Sequence, residues 1–116
     1  MVTPGRLIAP LLLPNTGTLL LTAPVGRRVI VKKVICANID PGPTSQGLAF
    51  YRVPSGGSYS ATTDVVVTTW VAPNRSLEIY ELEGATLEPG DMLYGYCTTS
   101  ASTVWLHLDG TYVDLA

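Results

Sequence analysis

Residues 19–40 read LLLTAPVGRRVIVKKVICANID, and the fold turns on how this stretch is read. A leucine run meets Ala-Pro-Val-Gly. Pro24 presets φ for the first corner of a turn and Gly26 admits a positive φ, so the chain reverses before Arg27. From Arg27 to Ile39 neither proline nor glycine interrupts a β-branched segment, which reads as one long strand. Val29, Ile30, Val31, Val34, Ile35 and Cys36 occupy both parities of that strand. A strand apolar on both sides belongs at the centre of a sheet or under another subunit.

Outward from this stretch the same grammar repeats. No window shows sustained helical periodicity; proline and glycine recur about every ten residues, with valine, threonine, leucine and tyrosine between them. Strands are expected at 7–13, 18–22, 27–39, 48–53, 64–71, 77–81, 91–98 and 103–109, with a short edge strand at 112–115. LEPGD at 87–91 is a tight turn, with Pro89 at its first corner and Gly90 at its second. Pro41 and Pro43 make 39–47 a loop, and PSGGSYSATT is a loop carrying Tyr59. Alternation puts Val104, Leu106 and Leu108 on one face and Trp105, His107 and Asp109 on the other. Met92, Tyr94 and Tyr96 separate from Leu93, Gly95 and Cys97 in the same way. The expected fold is all-β: a single antiparallel β-sandwich, jelly-roll or immunoglobulin-like, of about eight strands. An extended N-terminal arm is expected over 1–16, with the sandwich over 17–116.

The chain has 116 residues, enough for one core and no second. Apolar residues make up 47% and charged residues 14%, against about 25% charged in an ordinary soluble domain. Such a surface is short of charge, so part of it is expected to be covered by neighbouring chains. A net charge of −2 argues against nucleic acid as a partner. LIAPLLLP is cut by Pro10 and Pro14 and is far shorter than the ~20 residues of a membrane helix, so no membrane partner is expected. It also lacks the shape of a secretory signal. Leu11, Leu12 and Leu13 instead offer apolar area that an arm would bury on another subunit.

Groups with chemical potential do not assemble into a site. His107 has no nucleophile in a Gly-x-Ser-x-Gly-type turn to serve. Glu78, Glu81, Glu83 and Glu88 lack the spacing of a calcium loop, and the glycine-rich stretches lack the lysine of a phosphate cradle. No catalytic, cofactor-binding or metal-ligating residue is assigned, no cofactor is expected, and the chain is read as a non-enzyme. Cys36 and Cys97 have neither metal nor redox spacing; they read as buried free thiols, with a bridge between their strands left open. Arg27, Arg28, Lys32 and Lys33 cluster within seven positions of one strand. By alternation Arg28 and Lys32 share a face and Arg27 and Lys33 the other, so they are either solubilising charge or docking charge for an acidic partner. The aromatics, Trp105 and Trp70 foremost, read as interface anchors, or alternatively as a platform for sugar rings.

The order of these pieces resembles a family. LLLTAPVGRRVIVKKVICANID is similar to the opening of small tailed-phage virion proteins, where a Tyr/Leu-Thr-Ala-Pro-x-Gly turn leads into a long strand closing on asparagine. AFYRVPSGG resembles their next strand and loop, and LEIYELEGATLEPGDMLYGYCTTSASTVWLHLDG their Pro-Gly-Asp close. The resemblance implies a single β-sandwich serving as a capsid decoration, head-fibre, neck or tail accessory subunit, with no catalytic residues. The expected role is a capsid decoration (cement) subunit that binds the head as an oligomer, a homotrimer. Its partners would be the major capsid protein or other virion subunits, and its location the virion, assembled in host cytoplasm. That reducing compartment implies free cysteines. The alternatives are a tail, neck or fibre accessory protein, or a carbohydrate-binding adsorption module. The partner-binding residues expected are Leu11, Leu12, Leu13, Arg27, Arg28, Lys32, Lys33 and Trp105.

Overall fold

The computed structural model describes residues 2–39, 45–57, 65–98 and 103–115. The turn at Pro41 and Pro43 and the loop carrying Tyr59 lie outside the described residues. The strands are β1 (Val2–Arg6), β2 (Leu11–Leu12), β3 (Thr18–Thr22), β4 (Arg27–Asn38), β5 (Gln46–Val53), β6 (Val65–Val71), β7 (Arg75–Glu78), β8 (Thr86–Leu87), β9 (Met92–Cys97) and β10 (Val104–Asp114). A short 3-10 turn, Tyr80–Leu82, stands between β7 and β8.

Two antiparallel sheets face each other, so the fold is the all-β sandwich expected. One sheet runs β1-β10-β4-β7, with β2 also on β10 and β8 also on β4; the other runs β3-β9-β5-β6. β1 and β2 follow one another along the same edge of β10, as β7 and β8 do along β4. Each sheet is therefore four ribbons wide. The pairing nests: the first ribbon lies on the last, the second on the next to last, and β5 turns directly onto β6. That nesting is the jelly-roll arrangement of two Greek keys.

The turns form where their residues dictate. Gly26 has φ 76°, and the Arg27 amide bonds the Pro24 carbonyl at 3.1 Å. Gly90 has φ 88°, and the Asp91 amide closes the next turn on Glu88 at 2.9 Å. β10 alternates as expected, with Val104, Leu106 and Leu108 buried and Trp105, His107 and Asp109 outside. The core also gathers Val29, Val31, Val34 and Cys36 from β4, Leu48 and Phe50 from β5, and Leu93 and Cys97 from β9. A Cβ at Gly95 would come within 2.8 Å of the Phe50 ring, so glycine there lets the largest core side chain lie on bare backbone.

Two expectations are corrected. β4 is central, between β10 and the β7–β8 edge, but it is not apolar on both sides by parity. Opposite Asp109 and Gly110 stand Lys33 and Val31, so Lys32 is an extra residue in the ladder. This bulge resets the alternation by one. Val29 and Val31 before it, and Val34, Cys36 and Asn38 after it, all face the core, while Lys32 and Lys33 are both exposed.

The second correction concerns the arm. Residues 2–13 run along β10 of their own sheet: Val2 to Arg6 pair with Val113 to Asp109, and Leu11 and Leu12 with Leu106 and Trp105. Leu7 is nearly buried and Leu13 fully so, both within the core cluster. The prolines interrupt this edge without freeing it. Chain lacking some backbone donors is tolerated on an edge strand, and the leucines gain more from their own core than from water.

Candidate functional site

The residues expected to bind a partner are spread along the first sheet, with Arg27 and Arg28 at one end, Lys32 and Lys33 near the middle, and Leu11 to Leu13 and Trp105 towards the other end. Arg27 lies opposite Asp114 and Ala37 opposite Trp105 on the same strand pair. Nine residues of strand, about 30 Å, separate them.

The basic cluster is divided by its partners. The Arg27 guanidinium donates to Asp114 at 2.7 Å and sits 5.3 Å from the centre of the Tyr112 ring. Arg28 donates to Glu88 at 3.0 Å. Both pairs are solvent-exposed, so each stabilises the fold by at most about 1 kcal/mol, yet both occupy the arginines internally. Lys32 and Lys33 remain outward at the bulge. Lys33 faces Asp109 in register and lies close enough to Glu78 to pull its pKa down. The stronger influence on Glu78 is a hydrogen bond with the Glu83 carboxyl, which raises its pKa above the ordinary range, helped by desolvation and by the Glu83 charge. Glu83 itself accepts the Val34 amide at 3.3 Å, next to the bulge.

At the second end Leu12, Trp105 and Ala37 form one row across the outer face. Trp105 is 37% exposed. Leu11 packs against the core and Leu13 is buried within it, so Leu13 does not belong to a partner surface. His107 and Ile35 form the next row, with His107 exposed. Trp70, 63% exposed, belongs to the other sheet, so the two tryptophans do not share a platform.

The outer face of the second sheet has a character the sequence reading missed. Leu19, Tyr94 and Tyr51 form one row, and Tyr96, Ala49 and Thr68 another. Trp70 pairs with Gly47 beyond them. None of these residues is charged. The Tyr51 and Tyr96 hydroxyls meet at 3.0 Å, with ring centres 5.7 Å apart, so this face satisfies part of its own polarity.

Two buried polar residues tie the frame together. Asp91 accepts the Ser55 amide at 2.9 Å, the Glu88 amide at 3.1 Å and Arg52 at 3.4 Å, joining the 87–91 turn to the end of β5. Asn38 donates to the Val71 carbonyl at 3.3 Å and accepts from the Thr103 hydroxyl at 2.9 Å, fastening one sheet to the other. Both lie in the stretches that carry the family resemblance, and their work here is structural. The cysteines are free and buried. Burial pushes the Cys36 thiol up to about 12, with nearby Cys97 adding to the shift, and burial also raises Cys97. Among the described residues there is no cavity and no group of three or more histidine, cysteine, aspartate or glutamate side chains placed to hold a metal ion.

No family model matches the chain, and no curated protein matches it. A solved structure from Bacillus endospore appendages, described as forming "a novel family of disulfide-linked pili", has the same fold. It is 16% identical with a TM-score of 0.53, over 99% of this chain and 89% of that one.

Proposed function

We propose that this chain is a non-enzymatic structural subunit of a bacteriophage virion, a decoration subunit that binds the head surface. The observation that carries the reading is the employment of the family-like residues. Gly26, Asn38 and Asp91, which mark the resembling stretches, make a turn, an inter-sheet tie and a turn anchor. A module whose characteristic residues all serve its frame acts by shape and surface. Its partner surface is the outer side of the first sheet, with Leu12, Trp105 and Ala37 as apolar contact and Lys32 and Lys33 as the cations left for an acidic capsid exterior.

A filament subunit is the second reading, favoured by the pilus protein that shares the fold. Covalent linkage through Cys36 or Cys97 is opposed by their complete burial.

The test is sedimentation of the purified chain with phage heads assembled without it. Saturable binding, slowed by salt and by the K32Q/K33Q double substitution, is the expected result. Binding to tails alone would move the chain to a tail, neck or fibre position, and binding to neither would overturn the virion reading.

A further inference from the structure

We propose that Glu78 is a pH-operated arm on the outer face of the first sheet: protonated, it bonds the Glu83 carboxylate, and ionised, it turns to Lys33, so that pH decides whether Lys33 is paired or free. The β4 ladder is interrupted beside the bulge. The Ile79 amide bonds the Val34 carbonyl at 2.8 Å, and the chain then leaves β4 in the 3-10 turn. It returns where the Gly84 amide bonds the Val31 carbonyl at 2.7 Å and the Ala85 carbonyl accepts the Val31 amide at 2.9 Å. Between these points the Val34 amide takes its acceptor from a side chain, the Glu83 carboxylate at 3.3 Å. Ile79 and Leu82 are buried and anchor the turn, so Glu83 is held in place and Glu78 is the part free to change partner.

Glu78 stands between partners of opposite charge. In register it lies opposite Ile35, two residues beyond Lys33 on the same face of β4, and a diagonal neighbour of that kind is within reach of a long side chain. On its other side is the Glu83 carboxyl, with which it shares a hydrogen bond. Two carboxyl groups share a hydrogen bond only when one of them carries a proton. A neighbouring carboxylate favours that proton and a lysine opposes it. Here the bond with Glu83 has the largest influence, desolvation and the Glu83 charge add to it, and Lys33 works against them, so Glu78 keeps its proton above the ordinary 4.5. Once the proton leaves, Glu83 repels Glu78 and Lys33 attracts it. The surrounding charges are Lys32 beside Lys33 at the bulge, His107 across Ile35, Asp109 between Lys33 and Arg6 in register, and Glu81, exposed on the turn. Arg75 lies three residues back on the other parity of β7. β6, which packs against the turn, and β8 carry no titratable residue. The switch belongs to the free chain and does not depend on which particle the chain serves.

The experiment follows the Glu78 carboxyl carbon and the Lys33 ammonium by NMR as the free chain is titrated from acid to mildly alkaline pH. Folding is checked by circular dichroism. Reading Glu78 at its own carbon keeps the titrations of His107, Asp109, Glu81 and Glu83 apart from it. In the wild type Glu78 should titrate above 4.5, and the Lys33 signal should shift at the same midpoint. E83Q keeps an oxygen for the Val34 amide and offers ionised Glu78 an amide donor, so the Glu78 midpoint should move down. K33M removes the opposing charge at an exposed position, so the midpoint should move up. E78Q should abolish the step in the Lys33 signal. If Glu83 merely capped the Val34 amide, E83Q would leave the Glu78 midpoint where it was; should E83Q not fold, K33M and E78Q decide alone. A wild-type midpoint at or below 4.5, a midpoint that either variant leaves unmoved or moves the opposite way, or a Lys33 signal with no step at the Glu78 midpoint would each overturn the proposal.

Discussion

At the scale of single residues, burial converts polar and ionisable groups into framework. Cys36 is the clearest case. Its thiol stays protonated up to about 12 in the native chain, whereas its ordinary value is 9.0. A raised native pKa contributes stability that is fully present below the unfolded value and is lost as pH rises through the native one. Between those limits the unfolded chain releases a proton that the native chain keeps. Stability should therefore fall as pH rises from 9 towards 12, with a slope of up to about 1.4 kcal/mol per pH unit from this thiol. Urea midpoints of the wild type and of Cys36→Ala, measured across that range, isolate the effect from other groups that titrate there. A Cys36→Ala curve parallel to the wild type would show that the thiol contributes nothing. Asp91 illustrates the same conversion by hydrogen bonding: Arg52 from β5 and the Ser55 and Glu88 amides from two loops all donate to one carboxylate.

At the scale of elements, the N-terminal strands decide what the first residues of the chain do. Leu7 and Leu13 lie in the core, and Leu13 has no exposed surface. Leu13→Ala should cost about 2–5 kcal/mol, read as a lowered denaturant midpoint at unchanged slope. Removing residues 1–14 should cost cooperative unfolding altogether; a truncated chain that melts as sharply as the full one would return these residues to the status of a free arm. Legibility follows from the same elements. The faces of β9, and of β10 as far as Asp109, could be read residue by residue because they differ at every step, but the single strand Val104–Asp114 runs through what was expected as two, 103–109 and 112–115. β4 could be located but not phased, since nothing in the residue types distinguishes Lys32, the bulge, from Lys33 beside it. β1 could not be seen at all: Pro4 and Gly5 argue against a strand, and only the long edge of β10 makes one there. The basic cluster was visible, but its pairing was not. Asp114 lies 87 residues from Arg27 and Glu88 lies 60 from Arg28, so only the fold reveals that the arginines are occupied.

At the scale of the whole molecule, the nested pairing puts the two ends of the chain side by side. Val2 stands opposite Val113, the most distant pairing among the described residues, in a body of 50 × 28 × 20 Å. Contacts of that range repay their closure entropy late, so folding is expected to be slow. Linking the ends should relieve the cost directly. A disulfide in V2C/V113C would close a loop of nearly the whole chain, for which the entropy lost by the unfolded state is worth on the order of 4.7 kcal/mol and the usual yield about 2–4 kcal/mol. Cys36 and Cys97, buried in the native state, do not compete for the new bond while the chain is folded. The denaturation midpoint should rise when the bond forms and return to the wild-type value on reduction. The crosslink should also remain within one chain, because β1 pairs with its own β10. An oxidised variant no more stable than the reduced one, or one joined between chains, would mean that the first strand does not rest where the nested pairing puts it.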